Sequence, residues 1–210
     1  TEQVEIFKGV IPVEYGGRLS SVFDIQTKDG STEGLKGEGS VGPVTANLAL
    51  EIPVRSDKSS LVIGGRVAYS DWILRALDDE DLSNSTASFY DLIGTYTDRL
   101  NENNRIKATG YYSKDRFSIT SDSTFRYSNR AASVEWNHTF NERNNASFSL
   151  ANSRYAFDVG YDADSNTDFN LGYSVEETEL KGFNRFRIND RHRLIYGLSG
   201  KYYRVNPGTL

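Results

Sequence analysis

The chain has 210 residues, a formal net charge of -5 and 37% hydrophobic residues, with 13 Tyr and 11 Phe but no Cys or Met. The low hydrophobic content argues against an ordinary soluble core, and the aromatic content argues against a disordered chain. The missing cysteines exclude disulfide scaffolds and thiolate metal sites, and the scattered basic residues indicate no nucleic-acid partner. The composition therefore indicates an all-β protein. A polar chain that is also rich in aromatic residues is typical of a barrel with one face toward lipid and one toward water.

Residues 1–33 differ in pattern from the remainder of the chain. Segments 2–8 and 19–28 are predicted to be short strands, joined by a loop of turn-forming residues. A linker follows at 29–32, so we expect one domain at 1–33 and a second at 34–210. The sequence shows no signal peptide and no apolar run of transmembrane-helix length, and we expect the chain to begin inside a longer protein.

From residue 44 onward, apolar and polar residues alternate, which is the pattern of strands with one apolar face. In one run Leu61, Ile63 and Val67 fall on one side, and Ser60 and Arg66 fall on the other. The clearest runs of this kind are 44–54, 60–70, 131–140 and 193–203. The whole pattern predicts about nine long antiparallel strands.

Short polar turns recur at regular intervals between pairs of strands. They start at residues 55, 101, 141 and 189, which gives separations of 46, 40 and 48 residues. Longer polar stretches lie between them, near residues 72–88, 115–128 and 160–170. Alternating short turns and long loops are typical of an up-and-down outer-membrane barrel, whose short turns are periplasmic. A propeller has a similar period, but each of its blades contains four strands rather than two.

Alternation alone does not distinguish a membrane barrel from a soluble β-sandwich, in which the apolar faces of two sheets meet. Strand length favours the barrel, because runs of roughly 10–14 residues exceed the usual strand of about 5–6. Aromatic residues at strand ends also suit the two lipid headgroup levels. In a membrane barrel, side chains such as Leu61, Ile63, Val67, Trp136 and Tyr196 contact hydrocarbon. The polar side chains Arg66 and Glu135 then point into the bore.

Residues 4–30 carry a more specific signal than the alternating strands. The residues that form this motif are Val4, Glu5, Ile6, Lys8, Gly9, Tyr15, Gly16, Gly17, Val22, Ile25, Thr27 and Lys28. This segment resembles the final part of the plug in TonB-dependent outer-membrane receptors. The version at 15–22 is most similar to receptors of Bacteroidetes-type bacteria, and segments 36–42 and 57–61 resemble that group's opening barrel strands.

The resemblance implies a 22-stranded barrel in the bacterial outer membrane, blocked by a plug, with this chain as the end of the plug and about nine strands. It implies uptake of a scarce extracellular ligand, such as a siderophore, vitamin, saccharide or peptide. The TonB complex would supply energy by grasping an N-terminal segment that this chain lacks. Other partners would be membrane lipid and other envelope proteins. Nine strands cannot close such a barrel, so we expect an open sheet that transports nothing by itself.

Within the plug motif, the residues singled out as functional are Lys8, Gly9, Tyr15, Gly16, Gly17 and Arg18. The three glycines permit backbone conformations or close approaches that other residues forbid, although they are also ordinary loop residues. Arg18 is a candidate to pair with an acidic bore residue such as Glu51 or Glu135, and a solvated arginine is the alternative.

Aromatic residues near the predicted loop bases are candidates for ligand contact, chiefly Trp72, Tyr127 and Tyr161. Phe89, Tyr90 and Phe157 belong to the same group. A girdle at the lipid interface explains most of these residues equally well, and we favour it.

One acidic loop has the spacing of the first half of a calcium site, and its candidate ligands are Asp162, Asp164, Asn166 and Asp168. However, Thr167 replaces the required Gly, and Tyr173 stands where the bidentate Glu belongs. A solvated loop is the favoured interpretation, as it is for the acidic run at 78–81. No cofactor is otherwise expected.

No catalytic motif is present, since His138 and His192 have no motif partners and no nucleophile-elbow or zinc spacing occurs. We therefore expect no enzyme. The alternatives to a transport receptor are a non-transporting barrel, such as an adhesin or structural envelope protein, and a soluble β-sandwich binding module. Residues 4–30 favour the receptor, because an empty structural barrel has no need of a plug.

Overall fold

The structure is a computed structural model that describes residues 2–17, 20–76, 78–79, 83–118, 123–161 and 169–208, with the backbone alone at 161, 169 and 170. The strands are β1 Gln3–Phe7, β2 Val22–Gln26, β3 Lys36–Val41, β4 Thr45–Arg55, β5 Ser59–Tyr69, β6 Thr86–Asn101, β7 Asn104–Ser118, β8 Ser123–Asn141, β9 Asn144–Tyr161, β10 Phe169–Arg187 and β11 Arg193–Asn206. A 3-10 turn at Val13–Tyr15 lies between β1 and β2, and helix α1 at Asp71–Arg75 follows β5. Among the residues described, no helix has the length and apolar character needed to cross a membrane.

Strands β3 to β11 form one antiparallel sheet in which sequence neighbours pair throughout, while β1 and β2 form a separate two-stranded sheet. The predicted all-β, up-and-down barrel architecture with nine strands is confirmed. The sheet is open, because β3 and β11 lie at its edges and no pairing joins them within the described ranges. The expectation that these strands would not close into a barrel is therefore also confirmed.

The strands lengthen along the chain, from 11 residues in β4 and β5 to 19 in β8 and β10. The expectation of a long loop at 115–128 is therefore wrong, because β7 continues to Ser118 and β8 begins at Ser123. Its polar residues alternate with aromatic ones and pair across strands, so they extend the sheet. About 9–11 residues cross a bilayer, and the longest strands therefore project beyond it on the long-loop side.

The strand register sorts the side chains onto two faces. One face, called the outer face below, carries cross-strand pairs such as Leu50 with Ile63 and Leu150 with Leu180. Its larger exposed apolar residues are Leu48, Ile63, Val67, Leu92, Val134, Trp136, Phe148, Leu150, Leu180, Tyr196 and Leu198. The opposite face, called the bore face, carries Arg66 and Glu135 together with many Ser, Thr and Asn residues.

The protein has almost no buried apolar core within the described residues, where Ala68 and Ala146 are the buried hydrophobic side chains. Leu180 is 64% exposed and Leu198 is 87% exposed. In a soluble sandwich these side chains would pack against a second sheet, and none covers the outer face in the described part of the chain. The alternative of a soluble β-sandwich is therefore wrong.

A charge placed on either face of β9 tests this assignment in the intact barrel. Leu150→Arg puts a guanidinium against hydrocarbon, and we expect it to lower the free energy of unfolding in lipid vesicles by about 2–4 kcal/mol. Ala151→Arg is the matched control, because Ala151 lies on the bore face opposite Ser133 and Glu179. Urea titration measures both variants. Equal destabilisation by the two variants would contradict a lipid-facing outer face.

Candidate functional site

The bore face is the candidate functional surface, and the N-terminal segment lies across the half of it next to the short turns. A polar cleft of about 650 Å³ separates the segment from the sheet. Charged residues from both sides line this cleft, namely Glu5, Glu14, Asp24, Arg105, Lys107, Glu135, Lys181 and Arg185. The contact between segment and sheet is therefore mainly polar and charged.

Asp29 is the first anchor of the segment. It accepts hydrogen bonds from Thr97 Oγ1 at 3.1 Å and from the Arg105 guanidinium, and its carboxylate lies 3.3 Å from Lys107 Nζ. Lys107 also donates to the backbone carbonyl of Thr27. Burial raises the pKa of Asp29, but the positive charges of Arg105 and Lys107 oppose it, so the net pKa lies below its usual value. The carboxylate is thus held in its charged form.

A second anchor follows within two residues. Glu51, on β4, accepts a hydrogen bond from the Ser31 backbone N–H at 2.9 Å and pairs with Lys28. Between them, Gly30 passes so close to β5 that an added Cβ would lie 2.9 Å from Val62 Cγ2. Only glycine allows this approach without displacement, and the linker is therefore pressed against the bore face.

The 3-10 turn supplies a third anchor on β10. Glu14 pairs with Arg185 at 3.3 Å, and Lys181 Nζ lies 5.1 Å from the centre of the Tyr15 ring. Burial and then the neighbouring carboxylate of Asp24 raise the pKa of Tyr15 to about 12. The Tyr15 hydroxyl therefore remains neutral at physiological pH.

Most residues of the plug motif can be located. Tyr15 packs against Phe7, with ring centres 5.7 Å apart, while Lys8 is exposed at the end of β1. Gly9 and Gly17 have φ values of 93° and 76°, which side chains rarely adopt. Gly16 has φ -53°, which any residue accepts.

Arg18 lies outside the described residues, so its expected contact with an acidic bore residue stays a prediction. Glu51 is bound by Lys28 and Ser31, and Glu135 accepts a hydrogen bond from Asn137. The segment therefore contacts the acidic bore residue Glu51 through Lys28 and Ser31. The sequence pattern did not predict this contact.

At the opposite end of the bore face, next to the long loops, aromatic rings join four strands. This aromatic tract consists of Phe117, Phe125, Tyr127, Tyr155, Phe157 and Tyr173. Phe157 is central, with ring centres 5.0 Å from Tyr127, 5.2 Å from Tyr173 and 6.3 Å from Phe125. Phe117 and Tyr173 are 42% and 40% exposed. The tract therefore presents several open ring faces to the bore.

Charged groups border the tract on β5 and β6. Arg66 donates to Asp91 through Nε at 2.9 Å and Nη2 at 2.8 Å, and its guanidinium lies 5.0 Å from the centre of the Phe89 ring. Asp115 lies directly between Phe89 and Tyr127 in the strand register. The surface thus combines stacking faces with hydrogen-bonding groups, which is typical of a small-molecule site.

The predicted ligand-facing residues have different outcomes. Tyr127 lies in the tract, whereas Trp72 lies on α1 and donates from Nε1 to the Pro43 carbonyl at 2.9 Å. The side chain of Tyr161, at the end of β9, is outside the described set. The lipid-girdle interpretation fits Tyr90, on the outer face, but is wrong for Tyr127, Phe157 and Phe89, because the register points them into the bore.

The predicted calcium loop, Asp162, Asp164, Asn166 and Asp168, lies outside the described residues. Among those described, no group of three or more His, Cys, Asp or Glu side chains could hold a metal ion. His138 faces outward on β8, where its Nδ1 lies 2.8 Å from Asn104 Oδ1, and His192 lies in the turn after β10.

No family model matches the chain, and no curated protein matches it. A solved structure described as "Copper transporter OprC" superposes with a TM-score of 0.66 at 13% sequence identity. The match covers 95% of this chain and 33% of that one, so the chain spans about a third of its neighbour's length. At this identity the likeness shows the fold alone: part of an antiparallel β-barrel.

The Asp29 anchor generates a pH-dependent prediction for the intact protein. Because the pKa of Asp29 is lowered from 3.8, its contacts stabilise the seated segment above about pH 4 and are lost as the pH falls through the lower, seated-state value. Asp29→Asn should weaken seating by about 1 kcal/mol at neutral pH, since partly exposed ion pairs contribute about 0.2–1 kcal/mol each.

Hydrogen exchange of residues 24–33 measures this effect. Exchange should be faster in Asp29→Asn than in the natural protein at pH 7, and the difference should shrink as the pH falls through the lowered pKa of Asp29 and the carboxylate becomes protonated. Glu33→Gln removes the same charge from an exposed linker residue and serves as the control. A control variant that exchanges as fast as Asp29→Asn would exclude a specific anchor.

Proposed function

We propose that the chain is part of a bacterial outer-membrane transport receptor, with residues 1–33 as the end of its plug and residues 34–210 as the first part of its barrel. The receptor takes up a scarce extracellular ligand with energy from the TonB complex and is not an enzyme. The motif at 15–22 further supports a Bacteroidetes-type member. The observation that carries the proposal is the N-terminal segment seated by charged contacts on a polar bore face.

The seating chemistry suits a plug that has to move. An apolar interface would resist separation, because each exposed square ångström costs about 25 cal/mol. The contacts of Asp29, Glu51 and Glu14 are instead partly exposed ion pairs, which water can replace one at a time. A pulling force can therefore dislodge the segment without unfolding the sheet. This argues against a non-transporting barrel, in which no mobile segment is required.

The aromatic tract is the proposed ligand surface on the extracellular side. It lies about eight residues along β10 from the seated segment, from Tyr173 to Lys181, which corresponds to roughly 26 Å of strand. Open ring faces bordered by Arg66 and Asp91 suit a small molecule with flat or ring-shaped parts, such as a saccharide or an aromatic chelator. The aromatic tract contains no His, Cys or Met side chain, so it lacks the ligands that copper prefers, and we do not propose copper as its ligand.

A crosslink tests the transport step. Asp29 and Thr97 are in hydrogen-bond contact, and the chain contains no cysteine, so Asp29→Cys with Thr97→Cys introduces a single pair within it. We expect the oxidised or chemically bridged protein to bind ligand normally but to lose uptake in whole cells, with recovery after reduction. Each single variant is a control. Full uptake by the bridged protein would contradict a moving plug.

Substitutions in the tract test the ligand surface separately. Phe157→Ala and Tyr127→Ala should each weaken ligand binding about two- to tenfold, because a stacked ring contributes about 0.5–1.5 kcal/mol. Phe148→Ala removes a similar ring from the outer face and should leave binding unchanged. The measurement is uptake and calorimetric binding with a panel of siderophores, cobalamin, oligosaccharides and peptides. An equal loss in Phe148→Ala would exclude the tract as the site.

A further inference from the structure

A band of basic side chains crosses the outer face on its long-loop side. This basic belt consists of Lys114, Arg116, Arg126, Arg130, Arg154 and Arg204, from β7, β8, β9 and β11. The register places all six on the face that carries Trp136 and Leu150. Two carboxylates, Asp158 and Glu176, share this part of the face. Six cations against two anions leave a formal excess of four positive charges.

The two carboxylates do not neutralise the belt. Asp158 pairs with Arg126 at 2.8 Å, but Glu176 is shared by Arg130 and Arg204 at 3.9 Å each. Arg154 donates to the Ser174 hydroxyl at 3.5 Å and forms no ion pair within the described ranges.

Two cross-strand pairs in the belt are of like charge. Arg116 lies directly opposite Arg126, and Arg130 lies directly opposite Arg154. Like charges in such positions destabilise a sheet. Lys114 and Arg116 are exposed and form no ion pair within the described part of the chain. Among the described residues, the belt therefore carries more positive charge than the neighbouring carboxylates neutralise.

The depth of the belt indicates which anions are available. On β8 the outward residues Phe140, Trp136 and Val134 are followed by Ala132 and then by Arg130. The belt therefore begins within two to four residues of the last apolar side chain, which is roughly 7–14 Å along the strand. A group at that distance beyond the hydrocarbon meets the lipid head groups. Because short turns are periplasmic, this is the outer leaflet.

We propose that the basic belt binds the phosphate groups of phosphorylated lipids in the outer leaflet. Arginine suits this ligand because its planar guanidinium forms paired hydrogen bonds with phosphate oxygens, and lipid phosphates supply the missing negative charge. Each basic side chain near an anionic lipid surface adds to the attraction. The inference rests on the outer-membrane location proposed above and not on ligand uptake. Its consequence is a fixed depth and a lipid shell for β7 to β11.

Native mass spectrometry of the detergent-solubilised intact receptor tests the proposal, with diphosphoryl lipid A and its dephosphorylated form as probes. The triple variant Arg116→Gln, Arg130→Gln, Arg154→Gln should bind the diphosphoryl lipid at least tenfold more weakly. The control triple Lys58→Gln, Arg143→Gln, Arg191→Gln removes the same charge from the short turns and should bind normally. Arg→Lys at the three belt positions should restore most of the binding, which separates charge from misfolding.

Three results would overturn the belt. These are equal binding of the dephosphorylated lipid, equal loss in the turn variant, and displacement of the lipid by millimolar inorganic phosphate, which would indicate a general anion site. Ligand binding at the aromatic tract is measured on the same samples. A belt variant that binds ligand but not lipid supports the proposal. If the natural protein is soluble without detergent, that result contradicts the outer-membrane location proposed above.

Discussion

The structure depends on one constraint: successive residues of each long strand face different surroundings. With a side-chain period of two, a single sheet can expose leucine and tryptophan on one side and serine, glutamate and lysine on the other. A soluble domain resolves this difference by covering the apolar side with a second layer. Here no such layer exists in the described ranges, and stability comes from the continuous ladder of backbone pairs from β3 to β11. The hydrocarbon of the membrane takes the place of a core.

The polar side of the sheet then determines how the N-terminal segment is held. Its contacts are made by charged groups on β4, β7 and β10 that reach Lys28, Asp29 and Glu14. These contacts are spread over distant strands. Several weak ion pairs at separate points therefore fix the position of the segment, rather than one strong interaction. A segment held in this way can have a defined place and still be removable, which is what the proposed transport function requires.

The two halves of the sheet distribute apolar and charged side chains differently between the outer face and the bore face. On the long-loop side, aromatic rings gather on the bore face around Phe157, while charged residues gather on the outer face around Arg130 and Glu176. Near the short turns, the outer face is apolar and the bore face is charged. This inversion marks the height at which the strands leave the hydrocarbon, and it places a stacking surface in the bore on the long-loop side.

The sequence by itself determined the strands and their topology, because period-two alternation and regularly spaced turns are local properties. The alternation around Leu61, Val67 and Arg66 predicted the two faces correctly, and the turns at 55, 101, 141 and 189 all join neighbouring strands. Only the tertiary structure decided which aromatic residues meet. Tyr127, Phe157 and Tyr173 are far apart in sequence, and their meeting on the bore face depends on the register of three strands, β8, β9 and β10. The anchor at Asp29 escaped prediction for the same reason, since its partners Thr97, Arg105 and Lys107 belong to strands about 70 residues away in the chain.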